Sequence, residues 1–190
     1  MPDGQHHRVA LLGGSFDPPH VAHALLAAYV LMTGEIDEVL VVPVFEHAFG
    51  KRLAPFADRL ALCELAFAAL RAVTVSPVEA ALPSPSRTLT TLQHLQQERP
   101  SAAFRLVVGS DVLADAPKWY AFDEVTRRAP LLVVPRPGYP HPGGAVLPDV
   151  SSTRVRELLA KRSSDALAEL RGLVPSACLA QILAKNLYAA

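Results

Sequence analysis

The sequence predicts an α/β domain: a doubly wound parallel sheet with helices on both faces, completed by a helical segment at the carboxyl end. Three observations carry this. Short branched-aliphatic runs recur along the chain as RVALLGG, EVLVVPV, FRLVVGSD and LLVVPRPG, each the length of a strand buried on both faces. Helix-length runs separate them, so the strands are joined by crossovers and lie parallel, with right-handed connections. The polar and glycine-bearing clusters fall at the carboxyl ends of the strands, where sheets of this kind hold ligands.

In order, the first strand covers Arg8 to Gly14 and closes on paired glycines. Pro18 and Pro19 lead into a helix written HVAHALLAAYVLM, the fixed proline φ and missing N–H groups suiting the turn before it. Glu38 to Val44 is the second strand, Asp58 to Ala72 a largely apolar helix, and Val73 to Val75 a brief strand. Thr88 to Glu98 reads as a helix ending before Pro100, and Phe104 to Asp111 as a strand running into a turn. Ala121 to Arg128 is a short helix, and Leu131 to Gly138 a strand stopped by prolines. Glu46 to Pro55 and Pro77 to Arg87 read as loops over the strand ends. From residue 151 to 190 the chain reads as helical over VSSTRVRELLAKR, Ala166 to Arg171 and Ser176 to Tyr188. Cys178, Leu179, Ile182, Leu183 and Leu187 form one apolar stripe in the last of these.

Composition bounds the function. The chain has 190 residues, 51% of them hydrophobic, which suits one domain over 1–190 with residues 1–7 as a flexible tail. Lysine plus arginine and aspartate plus glutamate are 18 each, so no global field draws the chain to nucleic acid or an anionic membrane. The amino terminus lacks a signal-peptide pattern, and the longest near-apolar run, Ala24 to Met32, is too short to span a bilayer, so a cytoplasmic location is expected. Cys63 and Cys178 have no Cys or His at metal spacing and read as buried free thiols.

The stretch GGSFDPPHVAH, Gly13 to His23, is the chemical centre. Its glycines let backbone approach a ligand, and the helix that follows presents unpaired amides to an anion. His20 and His23, three apart, stand on one helix face. These features suit phosphate. A second anion site is expected at the helix beginning at Ser151. Where a surface helix would carry Asp or Glu in its first turn, this one has Arg154 and Arg156, which repel the positive end of the helix dipole unless an anion is present. Its amides are expected to stay open, with only one of the two arginines facing the ligand.

GGSFDPPHVAH is similar to the GG(T/S)FDPxHxGH signature of the nucleotidylyltransferase superfamily. VSSTRVR resembles the ISSTxIR signature of bacterial nicotinate or nicotinamide mononucleotide adenylyltransferases. GSDVLADAPKW, PRPG and LVPSACLAQILAKNLY extend the resemblance over nearly the whole chain. It implies a Rossmann-like fold and adenylyl transfer from ATP, accompanied by Mg2+, to a pyridine mononucleotide in NAD biosynthesis, with pyrophosphate released. It implies that His20, His23 and Arg156 are catalytic and that Gly14, Ser15, Phe16, Gly109, Asp111, Ser152 and Thr153 complete the ATP site. Lys51 and Arg136 would take the mononucleotide phosphate. Thr88 and Thr91 would line its pocket, and Trp119 would stack on the pyridine ring. No residue is assigned as a metal ligand, and formation of a homo-oligomer is left open.

The chain departs from the pattern in three places. Ala22 replaces the glycine of HxGH, AFGK stands where the family has PPHK, and Arg87 and Thr90 stand where YTxDT has an aromatic and an acid. Arg87 is a candidate partner for a pyridine carboxylate, which would favour the acid over the amide substrate; its other reading is a solvated loop residue. Phosphopantetheine adenylyltransferase shares the first signature but usually has threonine at the His20 position. A class I aminoacyl-tRNA synthetase has an HxGH-like turn, yet this chain is too short and too neutral for tRNA. A degenerate nucleotide sensor is the rival from another class.

Overall fold

The structure is a computed structural model and describes residues 6–115, 118–140 and 143–188. Five parallel strands form one sheet: β1 (His7–Gly14), β2 (Glu38–Pro43), β3 (Val73–Val75), β4 (Ala102–Gly109) and β5 (Leu131–Val134), in the order β3-β2-β1-β4-β5. The first half of the chain therefore winds outward from β1 on one side and the second half on the other. This is the doubly wound arrangement expected from the alternating runs.

Side chains alternate across the sheet with the strand period of two. Ala10, Leu12, Val39, Val41, Val107 and Val134 face one apolar layer, and Val9, Leu11, Leu40, Val42, Leu106 and Val108 face the other. The first layer is covered by α1 (Val21–Thr33), α2 (Phe56–Phe67), α6 (Ser152–Lys161), α7 (Ser164–Leu173) and α8 (Ser176–Ala184). The second is covered by α3 (Thr88–Glu98) and α5 (Phe122–Arg128), α3 burying Leu89, Leu92 and Leu95 at helical spacing. A fully buried leucine or isoleucine such as Leu62, Leu92 or Ile182 contributes about 2 kcal/mol through burial. The carboxyl-terminal helices share one apolar layer with α1 and α2, so they belong to the core of the sheet domain.

Several boundaries differ from expectation. β1 starts at His7, whose ring is 3.0 Å from Glu38, and His6 Nδ1 lies 3.2 Å from the Ser101 carbonyl, so the expected tail is tied down at these two residues; residues 1–5 lie outside the described residues. α2 starts two residues earlier and ends five residues earlier than Asp58 to Ala72. β5 ends at Val134 because Pro135 has no N–H to give the ladder. Two elements went unread. A 3-10 turn at Val78–Ala81 lies inside an expected loop, and α4 (Val112–Asp115) follows β4. The last helix stops at Ala184, and Asn186 and Tyr188 adopt positive φ beyond it.

The register opens the site. β1 pairs with β4 only as far as Leu11 opposite Leu106. β1 continues along β2 to Gly14, while β4 continues along β5 to Gly109. Beyond Leu11 and Leu106 the two central strands therefore part, at the point where the winding reverses.

Candidate active site

Two adjoining cavities flank the parted strand ends, one of about 430 Å³ and one of about 200 Å³. Gly13, Val107 and Trp119 border both. A Cβ on Gly13 would meet no protein atom within 4 Å, so a side chain there would intrude only on ligand space. Gly14 has a different reason to be glycine, since its Cβ would stand 3.2 Å from the Phe16 ring. Phe16 takes a positive φ of 45° and buries its ring edge-on to His23 (4.9 Å) and Phe67 (6.1 Å). It thereby sets the floor beneath the histidines.

His20 caps α1 and is 3% exposed. Its backbone N–H donates to His23 Nδ1 at 3.1 Å, which puts the proton of a neutral His23 on Nε2. The two rings stack with centroids 3.7 Å apart. Burial, then Arg136, pushes His20 down to about 4, and burial, His20 and Arg136 push His23 well below its ordinary range. Both are neutral donors near pH 7. His20 Nδ1 is buried with no hydrogen-bond partner.

Gly109, Asp111 and Arg136 line the same cavity. A Cβ on Gly109 would fall 2.2 Å from Asp111 Oδ1, so the close turn requires glycine. Asp111 Oδ1 accepts from Arg136 Nε at 3.4 Å, and Ser110 Oγ accepts from the Arg136 N–H at 3.0 Å. Arg136 therefore sits on the His20 side. Lys51, its expected companion, lines neither cavity.

The two sequence motifs meet. Ser152 Oγ donates to the Pro18 carbonyl at 2.9 Å, and Arg156 Nη1 donates to the Asp17 carbonyl and stands 3.7 Å from the Asp17 carboxylate. Arg156 Nη2 also donates to Thr153 Oγ1 at 3.3 Å. Arg154 turns away to Glu169 at 2.8 Å, so one arginine faces the turn and one does not, as the spacing predicts. The amides of α6 are not all open, because Ser151 Oγ accepts from the Arg154 N–H at 3.2 Å. This is an ordinary serine cap. Ser152, Thr153 and Arg156 border the turn and line neither cavity.

Arg87, Thr88, Thr91 and Trp119 come together in the larger cavity. The Arg87 guanidinium lies over the Tyr120 ring, 4.5 Å from its centroid. Thr91 Oγ1 donates to Glu79 Oε1 at 2.9 Å, so this hydroxyl is occupied by the protein. Trp119 rests edge-on against Phe122 at 5.9 Å. His47, Ala48 and Phe49, from the loop that departs from the family pattern, add a further wall.

Other residues here were missed. Asp17 is 3% exposed and accepts from the Ala54 N–H at 3.1 Å. Arg59 is 1% exposed and donates to the carbonyls of Ser15, Ala54 and Phe45. Glu79 is buried and accepts from the Phe45 N–H at 3.0 Å as well as from Thr91. Only a buried arginine inside the apolar run of α2 could have given a signal.

Comparison with known proteins agrees with this arrangement. Residues 11–158 match the cytidylyltransferase-like family. The chain is 47% identical over 184 residues to a probable nicotinate-nucleotide adenylyltransferase of Anaeromyxobacter dehalogenans (strain 2CP-C), covering 95% of this chain and 96% of that one. It is 38% identical over 184 residues to a protein of the same name from Myxococcus xanthus (strain DK1622), covering 95% and 94%. The fold is similar to that of the Plasmodium falciparum nicotinic acid mononucleotide adenylyltransferase complexed with NaAD, with a TM-score of 0.80 over 96% of this chain and 98% of that chain. At 18% identity that last likeness speaks for the fold alone. The joined turn and helix motifs, the two cavities at the parted strands and the near full-length matches lead to one conclusion: the chain belongs to the cytidylyltransferase-like family, among its nicotinate-nucleotide adenylyltransferases.

Proposed function

We propose that the whole chain acts as one cytoplasmic enzyme domain that transfers the adenylyl group of ATP to nicotinate mononucleotide and releases pyrophosphate. The observation that carries this reading is the meeting of the two cavities at Gly13. One holds a pair of neutral histidines and Arg136, and the other holds Trp119 with Arg87. ATP fits the first, with its phosphates toward His20, His23 and the Arg156 side of the turn. The mononucleotide fits the second, with its ring against Trp119.

The phosphate of the acceptor is already ionised near neutral pH, so the reaction needs no general base. An acceptor oxygen attacks the α-phosphorus, the bond to the β-phosphate oxygen breaks, and pyrophosphate carries away the negative charge. The enzyme's part is to hold the attacking oxygen in line and to meet growing charge on the phosphoryl oxygens. Neutral His20 and His23 do so as N–H donors, and Arg156 and Arg136 as fixed cations.

Magnesium accompanies ATP in this reading. No group of three His, Cys, Asp or Glu among the described residues could hold a metal, Asp17 is engaged by Ala54 and Arg156, and Asp111 by Arg136. That donor set fits an ion carried on the triphosphate oxygens. Bound there, it supplies neutralisation of the leaving pyrophosphate.

Arg87 supports preference for the acid, because a guanidinium stacked on Tyr120 still has in-plane N–H groups to offer a carboxylate. Pyrophosphate release with ATP, Mg2+ and each mononucleotide tests the reading. The acid is expected to outperform the amide, and Arg87→Ala to shrink the ratio of kcat/KM by about tenfold, or 1.4 kcal/mol. Turnover with phosphopantetheine alone, or nucleotide binding without turnover, would sink it.

A further inference from the structure

Arg59 lies in the first turn of α2 and touches neither cavity, yet it is the largest side chain among the most deeply buried residues. Burying a guanidinium is costly unless its donors are satisfied and its charge is countered. Both conditions are met by the polypeptide segments that frame the site. Arg59 Nη1 donates to the Ser15 carbonyl at 2.8 Å, directly after the glycine pair. Nε donates to the Ala54 carbonyl at 2.9 Å and Nη2 to the Phe45 carbonyl at 3.4 Å. Phe45 and Ala54 are the two ends of the loop whose middle, His47 to Phe49, walls the larger cavity. The guanidinium carbon lies 5.5 Å from the Phe56 ring centroid, and Phe56 packs edge-on against Phe45.

Burial works against the charge of Arg59, and the Asp17 and Glu79 carboxylates oppose that effect. Asp17 adds a second tie between turn and loop, since its carboxylate accepts from the Ala54 N–H. The Val44 N–H donates to the Gly14 carbonyl at 2.9 Å and completes the seam. One planar cation thus spans the phosphate turn and both feet of the acceptor loop, a geometry that an ammonium on a flexible stem does not reproduce.

We infer that Arg59 is a positioning residue: it fastens the loop 45–54 to the turn 13–17, and so sets the distance between the acceptor cavity and the ATP cavity. The inference rests on the functional reading above. In-line transfer depends steeply on that separation, and a loosened loop weakens acceptor binding and misaligns the attack. A purely structural arginine would lower thermal stability and leave the kinetic constants of the folded enzyme unchanged.

The test is steady-state kinetics of wild-type enzyme, Arg59→Lys and Arg59→Met, well below each Tm, with ATP and mononucleotide varied separately. Arg59→Lys is expected to fold, to raise the KM for the mononucleotide by about fivefold or more, and to lower kcat; Arg59→Met goes further in the same directions. Folded variants with wild-type KM and kcat would overturn the inference. Amide hydrogen exchange on unliganded wild-type protein tests the Asp17–Ala54 half of the tie without a variant. The Ala54 amide is expected to be protected to the level of the α2 amides, and exchange at the free-peptide rate would contradict the coupling. Wild-type protein without turnover would defeat the functional reading instead, and the exchange result would still decide whether Asp17 holds the loop.

Discussion

At the scale of single residues the proposed chemistry depends on two histidines kept neutral. His20 loses water to burial and faces Arg136, so its proton is shed by about pH 4. A neutral imidazole at the phosphate turn gives up cationic attraction but keeps a directed N–H, and it does not change charge as pyrophosphate leaves. His20→Ala is expected to lower kcat at least tenfold, about 1.4 kcal/mol of transition-state stabilisation, with the circular dichroism spectrum unchanged. Wild-type turnover by that variant would remove His20 from the mechanism. The same burial gives a stability signature. The folded pKa is depressed below the unfolded value of 6.5, so between pH 6.5 and 4 the unfolded chain binds more protons and stability falls as the pH is lowered. His20 alone accounts for about 3 kcal/mol across that window. Urea midpoints measured from pH 7 to 4 should therefore fall less steeply for His20→Gln than for the wild type.

The sequence exposed His20 and His23 because a glycine turn and helical spacing leave few other uses for such a pair. It did not expose Arg59 or Glu79, whose partners are main-chain groups and hydroxyls brought close by the fold. It paired Lys51 with Arg136, but β5 delivers Arg136 beside Asp111 in the smaller cavity. Two residues on loops 85 positions apart give no local signal of which wall they reach.

At the scale of elements, α6 docks its first turn onto the 13–19 turn through Ser152, while Arg156 reaches Asp17. This joins signatures more than a hundred residues apart in sequence. The misplaced positive charge at the helix start was legible because it breaks the usual dipole preference, and the Arg154–Glu169 pair absorbs the half of it that serves no anion. Arg156→Ala is expected to cut kcat/KM for ATP about 100-fold, the cost of losing one fixed donor to a charged oxygen. Arg154→Ala should stay within about threefold, since exposed ion pairs contribute little. Equal effects of the two substitutions would contradict the assignment. The helices α3 and α6 were readable to within a residue or so, α3 from its apolar spacing and the proline after it, α6 from the serines at its start. The turn at Val78–Ala81 was not, since it forms in a proline-rich loop around the buried Glu79 carboxylate.

For the whole molecule, the alternation of buried strands and helices was enough to predict a parallel sheet and the end at which ligands bind. The order of strands was not legible, and neither was the divergence of β1 from β4 beyond Leu11 and Leu106, which depends on how both strands keep their outer partners. That divergence lets the two cavities at the carboxyl ends of the central strands meet at Gly13. The central claim is that ATP and a pyridine mononucleotide meet over Gly13, and its most direct test is a crystal structure with the dinucleotide product bound. The account predicts the adenylyl phosphate beside His20 and His23, the pyridine ring on Trp119, its carboxylate toward Arg87, and the bridging phosphates over Gly13. A dinucleotide bound away from the parted ends of β1 and β4, or with its pyridine in the smaller cavity beside Arg136, would contradict it.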